Sequence, residues 1–226
     1  VSTEQTERLH HDSSPSSLHL SSILTAMLRN LILLGAPGGG KGTIAKKIIK
    51  DFTFIPISTG DLIRKNVHDN TDLGNIAKKY ITEGALVPDE IVVRLLSEEI
   101  ERVKKQQKSI LLDGFPRTLK QAAILQESGV NIDFVVNLEV PHEVIMDRMA
   151  QRWIHFASGR TYSYDYNPPK KIGFDDVTGE PLSQREDDKP EVVKARLDLY
   201  ESTTKPLVHY YQTVKTCKVE SFKGTE

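Results

Sequence analysis

Internal disulfide chemistry is missing from this chain, because Cys217 is its single cysteine. One thiol closes no loop and builds no cysteine cage for zinc. A reducing compartment is compatible with that. Charge of one sign is lacking too, with 30 Lys and Arg facing 31 Asp and Glu. No long basic run stands out, so no nucleic-acid partner is expected. Long apolar runs are absent as well. None approaches the roughly 18 residues that cross a bilayer, so no membrane association is expected. What remains, at 226 residues, suits one globular domain with a small insert.

Residues 1–28, "VSTEQTERLHHDSSPSSLHLSSILTAML", are Ser-rich and show no sustained periodicity. A transit peptide is Arg-rich and poor in acids. Here Glu4, Glu7 and Asp12 surround the one early arginine, Arg8. The segment reads as a disordered tail, with the folded domain over residues 29–226.

Short apolar runs then alternate with helical patterns. Candidate strands are Asn30–Leu34, Phe54–Ser58, Ile110–Asp113, Phe134–Leu138 and Cys217–Glu220. "ILLD" and "FVVNL" lack period-2 alternation, as do strands buried on both faces of a parallel sheet. "TIAKKIIKDF" and "DEIVVRLLSEEIERVKKQ" read as helices. Alternation of this kind predicts βαβ units and an α/β fold with a five-stranded parallel sheet flanked by helices. Residues 153–189 break the pattern. They are rich in Gly, Pro, Tyr and turn pairs, which predicts a small β-rich insert of the kind that serves as a lid.

"GAPGGGK", from Gly35 to Lys41, stands between a strand and a helix. Glycines let backbone N–H groups turn towards a phosphate, and the following helix adds its positive end. The pattern is a P-loop, with Gly38, Gly39, Gly40, Lys41, Gly42 and Thr43 as donor-phosphate ligands. Gly42 occupies the place where Ser or Thr usually ligates magnesium, and Thr43 follows one later. Magnesium is therefore expected on the nucleotide and water, with no direct protein ligand. A GTPase switch would need that Ser or Thr and an NKxD-type motif. Neither is present.

Ligands of parallel sheets sit at the carboxyl ends of the strands. There the sequence places Ser58, Thr59, Asp61 and Arg64, then Asp113, Gly114 and Arg117. Arg148 and Arg152 follow, four apart and expected on one helical face. Arg185 and Arg196 come after the insert. For Asp187 and Asp188 the bland alternative is that they cap a helix near Pro190. Two phosphate-bearing substrates repel each other, and several arginine forks offset that repulsion. Phosphoryl transfer then needs positioning, charge neutralisation and exclusion of water.

"GAPGGGKGT", "STGDLIR", "LLDGFPRTLKQA", "NPPK", "DDVTGEPL" and "REDDKPE" resemble the adenylate kinase family in order and spacing, from about Leu28 to Glu226. Within it, "RWIH", "QREDDKPE" and "SFKGTE" look most like the mitochondrial GTP:AMP phosphotransferase branch. The resemblance implies transfer from a Mg-nucleoside triphosphate, GTP favoured and ATP the alternative, to AMP. It implies that Lys41, Arg117, Arg148, Arg152, Arg185, Arg196 and Asp113 are catalytic, with Asp113 holding magnesium through water. Arg152 and Tyr162 would join the loop on the donor. Thr59, Arg64, Leu86, Val87, Gly114, Arg117, Gln121, Arg185 and Arg196 would bind AMP. Residues about 58–87 would form the AMP-binding segment and about 153–189 the lid. An inactive nucleotide-sensing module would be expected to lack Lys41 or an arginine of this set, and all are present.

Some members hold the lid with zinc on four cysteines. Here His155, Ser158, Asp175 and Thr178 stand at the paired spacings, so a hydrogen-bonded polar cluster is expected and no zinc. The resemblance also implies a monomer in the mitochondrial matrix, with the cytoplasm as alternative. Family members usually continue past the position of Glu226 into a last helix, which implies lower stability without it.

Overall fold

The structure, a computed structural model, describes residues 30–225. The expected tail over residues 1–28 lies outside them. Five strands form one parallel sheet: β1 (Asn30–Gly35), β2 (Phe54–Ser58), β3 (Ser109–Asp113), β4 (Phe134–Glu139) and β7 (Lys218–Lys223). Their order is β2-β3-β1-β4-β7, with Leu31 opposite Leu111 on one side and Phe134 on the other. The five expected strands are all present, with ends shifted by up to three residues.

The helices are α1 (Lys41–Asp51), α2 (Thr59–His68), α3 (Asp72–Thr82), α4 (Asp89–Lys105), α5 (Leu119–Glu127), α6 (His142–Ala150), α7 (Pro190–Leu199) and α8 (Pro206–Thr213). A π turn, Tyr200–Thr204, joins the last two. Start signals are local. Ser58 caps α2 by accepting from the Asp61 N–H, and Thr71 and Thr118 cap α3 and α5 in the same way. Pro190 opens α7, where its missing N–H costs nothing.

Alternation along each strand divides the core between two faces of the sheet. Ile32, Ile110, Leu112 and Val135 pack with Leu96 and Ile100 of α4 and Leu207 and Tyr211 of α8. Leu31, Leu33, Leu111 and Phe134 pack on the other face with Ala45 and Ile48 of α1. Leu111 and Leu112 have no exposed surface. Each such side chain contributes about 1.5–3 kcal/mol relative to exposure. A third cluster joins Ala36 after β1 to Ile145 and Met149 of α6 and Val193 and Leu197 of α7. It fixes the glycine loop against the two helices that flank the insert.

The insert contains the antiparallel hairpin β5 (Arg152–His155) and β6 (Arg160–Ser163). Single bridges from Ile154 to Ser183 and from Phe174 to Pro181 tie its remainder together. The helical face expected to carry Arg148 and Arg152 together does not form. Arg148 and Arg152 do not share a helical face, because α6 ends at Ala150 with Gln151 as its cap. Arg152 begins β5 instead, so it belongs to the insert's own first strand.

Candidate active site

Above the carboxyl ends of the strands lies a cavity of about 1450 Å³. That exceeds the roughly 300–1000 Å³ of a site for one small ligand. The β1–α1 loop forms its floor. Gly40 adopts φ +88°, a left-handed conformation that favours glycine, and is the residue before α1. Gly35 has φ +142°, and a Cβ there would stand 2.8 Å from the Leu138 carbonyl oxygen. The loop thus turns tightly against β4 and delivers the α1 N-terminus, with no acidic residue in its first turn, to the cavity.

Gly38, Gly39, Gly40, Lys41, Gly42 and Thr43 all line this cavity. Lys41 Nζ folds back and donates to the Gly35 and Ala36 carbonyls, each at 2.8 Å. Burial lowers its pKa to about 8, against partial support from Asp113. Asp113, at the end of β3, is pushed up by burial, with Lys41 and Arg117 opposing.

A second wall comes from α2 and the turn before α4. Thr59, Arg64, Leu86 and Val87 line it, with Gly114, Arg117 and Gln121 beside them. Thr59 is buried and its Oγ1 has no hydrogen-bond partner among the described residues. Arg64 pairs with Asp61 at 2.5 Å. Gln121 is 1% exposed, and both ends of its amide are held. Oε1 accepts from the Arg117 N–H at 2.7 Å, and Nε2 donates to Asp89 Oδ1 at 2.7 Å.

The arginines converge from the turn before α5, from α6, β5 and α7, and from the segment that precedes a 3₁₀ turn at Glu186–Asp188. Arg117 Nε donates to the Gly114 carbonyl at 2.9 Å, and Arg148 donates to the Gly224 carbonyl at 2.8 Å. Arg152 forms a two-pronged pair with Asp188, and Arg196 pairs with Asp187 at 2.8 Å. Asp187 and Asp188 are therefore not caps of α7. They lie buried in a 3₁₀ turn and hold two site arginines. Among the described residues, Lys41, Arg117, Arg148 and Arg185 have no carboxylate within salt-bridge distance. Arg185 Nε is buried without a hydrogen-bond partner among the described residues. Burial and neighbouring cations pull Arg117 down to about 10 and Arg185 to about 9. Both remain charged at neutral pH. Desolvated cations that lack anions are unfavourable alone and favourable around a polyphosphate.

The expected lid residues cluster outside the cavity wall. His155 Nδ1 meets Ser158 Oγ at 2.8 Å, and Thr178 Oγ1 donates to Asp175 Oδ2 at 3.0 Å. Three further members have no motif to announce them. Arg160 donates twice to Asp175 at 2.7 and 2.6 Å, Tyr162 Oη donates to it at 2.9 Å, and Glu180 meets His155 Nε2 at 2.5 Å. The Arg160 bonds, joined by those from Thr178 and Tyr162, hold the Asp175 carboxyl far below the usual carboxylate range. Tyr162 also lines the cavity, so one residue belongs to both the insert's cluster and the site. The clearest residue that the sequence did not single out is Asp89, whose acidity at the start of α4 already has a reason in the helix dipole.

The sequence profile of the family described as adenylate kinase matches residues 33–216. The chain belongs to the adenylate kinase family. It is a nucleoside monophosphate kinase. The kinase is 49% identical, over 195 residues, to a Drosophila melanogaster protein named "GTP:AMP phosphotransferase, mitochondrial", covering 86% of this chain and 88% of that one. Among the described residues, no helix of the kinase is long and apolar enough to cross a membrane.

Proposed function

We propose that this kinase transfers the terminal phosphoryl group of GTP to AMP, giving GDP and ADP reversibly. The observation that carries the reading is the set of half-buried cations without carboxylate partners among the described residues, Lys41, Arg117 and Arg185, in one cavity with room for two nucleotides. The choice of GTP rests on the name of the Drosophila relative.

On this reading Gly38–Thr43, Lys41, Arg148, Arg152 and Tyr162 receive the donor. Thr59, Arg64, Leu86, Val87, Gly114, Arg117, Gln121, Arg185 and Arg196 receive AMP. An AMP phosphate oxygen attacks the terminal phosphorus, and the bond to the bridging oxygen of GDP breaks. Arg117, Arg152, Arg185 and Arg196 gather around the charge shared by the two nucleotides, offset their repulsion and fix the line of attack. Lys41 would leave the Gly35 and Ala36 carbonyls for the donor phosphates. Residues 153–189 act as a lid and 58–87 as an AMP-binding segment. Their closure expels water, so that AMP and not water accepts.

Magnesium fits the site. The Asp113 carboxylate, at the strand end beside Gly42, accepts no hydrogen bond among the described residues. It would hold the ion through water, and magnesium, when bound, withdraws charge from the donor phosphates. Zinc has no role in this reading, because Arg160 fills the space between His155 and Asp175 with a fixed cation. All of these groups lie on one chain, which supports action as a monomer. The relative's name, which says mitochondrial, supports a mitochondrial location, and the matrix is the part of the organelle this reading assigns.

Phosphorus NMR of Mg-GTP and AMP with the kinase tests the reaction. Growth of GDP and ADP resonances together is expected. Release of inorganic phosphate without ADP would refute it.

A further inference from the structure

The amide of Gln121 is held in one orientation by two groups that cannot exchange roles. Arg117 presents a backbone N–H, which only donates, to Oε1 at 2.7 Å. Asp89 presents a carboxylate, which only accepts, to Nε2 at 2.7 Å. Turning the amide over would set NH₂ against N–H and carbonyl against carboxylate, two repulsive contacts in a buried place.

Asp89 is itself fixed. It lies in the first turn of α4 and accepts from Thr118 Oγ1 at 3.3 Å. Thr118 Oγ1 in turn accepts from the Gln121 N–H at 3.1 Å as the cap of α5. A closed ring of bonds therefore joins the starts of α4 and α5 around one amide. Gln121 lines the cavity and Asp89 does not.

Each end of a primary amide has one more bonding site than the ring uses: a second N–H and a second lone pair. These form a donor beside an acceptor in an order the ring dictates. A 6-aminopurine edge complements them, since its ring nitrogen accepts and its exocyclic amine donates. A 6-oxopurine presents the opposite order. Mispaired buried polar groups discriminate strongly between such ligands.

We propose that Asp89 is a specificity-determining positioning residue. It fixes the polarity of the Gln121 amide and so makes the acceptor site select a 6-aminopurine monophosphate over a 6-oxopurine one. This rests on the proposed function, which sets AMP among residues that include Gln121, and adds that the base is the part that meets the Gln121 amide.

The test is kcat/KM of the full chain for AMP and for inosine monophosphate, at saturating Mg-GTP. The native kinase is expected to favour AMP by at least a hundredfold. Asp89→Ala is expected to cut that ratio at least tenfold, with KM for GTP unchanged. Asp89→Asn keeps a carbonyl acceptor and is expected to hold the ratio within threefold. Asp89→Ser suits a helix start but cannot reach the amide, and it replaces the alanine variant if that one fails to fold. A folded Asp89→Ala or Asp89→Ser enzyme with the native ratio overturns the proposal. Native kinase that phosphorylates both acceptors equally overturns the Gln121 placement, and with it the proposal. Native kinase inactive with AMP overturns the proposed function itself.

Discussion

The hydroxyl of Thr204 donates a 2.9 Å hydrogen bond to the main-chain carbonyl of Arg117, across 87 positions of sequence. Thr204 sits in the π turn between α7 and α8, and both residues line the cavity. With the Gly114 and Gln121 bonds, it anchors the Arg117 backbone and guanidinium together. Single π turns recur at functional sites because they re-aim one helical residue.

Thr204→Val keeps the shape and removes the donor. We expect a stability loss of about 1–3 kcal/mol, the cost of a buried carbonyl left unpaired, measured by urea denaturation. We also expect kcat/KM for AMP to fall about tenfold, which corresponds to about 1.4 kcal/mol. Thr204→Ser restores the hydroxyl and should restore both. A valine variant with native kinetics would show that the bond does not hold Arg117 for catalysis.

Asp175→Ala removes the acceptor that gathers Arg160, Tyr162 and the Val177 and Thr178 N–H groups. The insert should open locally while the sheet stays folded, because the two make separate packed units. Limited proteolysis should cleave within residues 156–180 several-fold faster than in the native chain, and KM for GTP should rise. Unchanged cleavage would contradict the cluster's structural role.

Lys41 gives a pH signature. Its pKa is about 8 when folded and 10.5 ordinarily. The unfolded chain therefore binds more protons between those values, so this group's contribution to stability rises with pH across the window. Donor phosphates favour the charged amine, so binding at pH 8–8.5 should take up protons. Calorimetry of GTP binding in two buffers of different ionisation heat, compared with Lys41→Met, reads this directly. Equal proton uptake in both proteins would remove Lys41 from the donor site.

Leu111 lies mid-strand in β3, an interior strand of the sheet, with no exposed surface, and packs on the α1 face. Leu111→Ala should lose about 2–5 kcal/mol in denaturant unfolding. A loss below about 1 kcal/mol would mean that the sheet's α1 face is not a packed core.

The strands were legible in the sequence because a strand buried on both faces leaves a short, continuous apolar run, as in "ILLD" and "FVVNL". The glycine loop was legible because its chemistry is contiguous. Arg152 was misplaced because helical spacing carries past Gln151, where the chain turns into β5. Asp187 and Asp188 carry no local mark of their role, because acids before a proline-led helix usually cap it, whereas here Arg152 and Arg196 claim them. Asp89, Thr204, Arg160 and Glu180 were out of reach for a common reason. Their partners lie 15 to 87 residues away, and nothing local signals a hydrogen bond closed by the fold.

Donor choice is the central claim, and a coupled assay with AMP as fixed acceptor measures it most directly. GTP, ITP and ATP would be compared as magnesium salts by kcat/KM. GTP is expected to exceed ATP at least tenfold. A preference for ATP would contradict it and leave an adenylate kinase of the ATP-using kind.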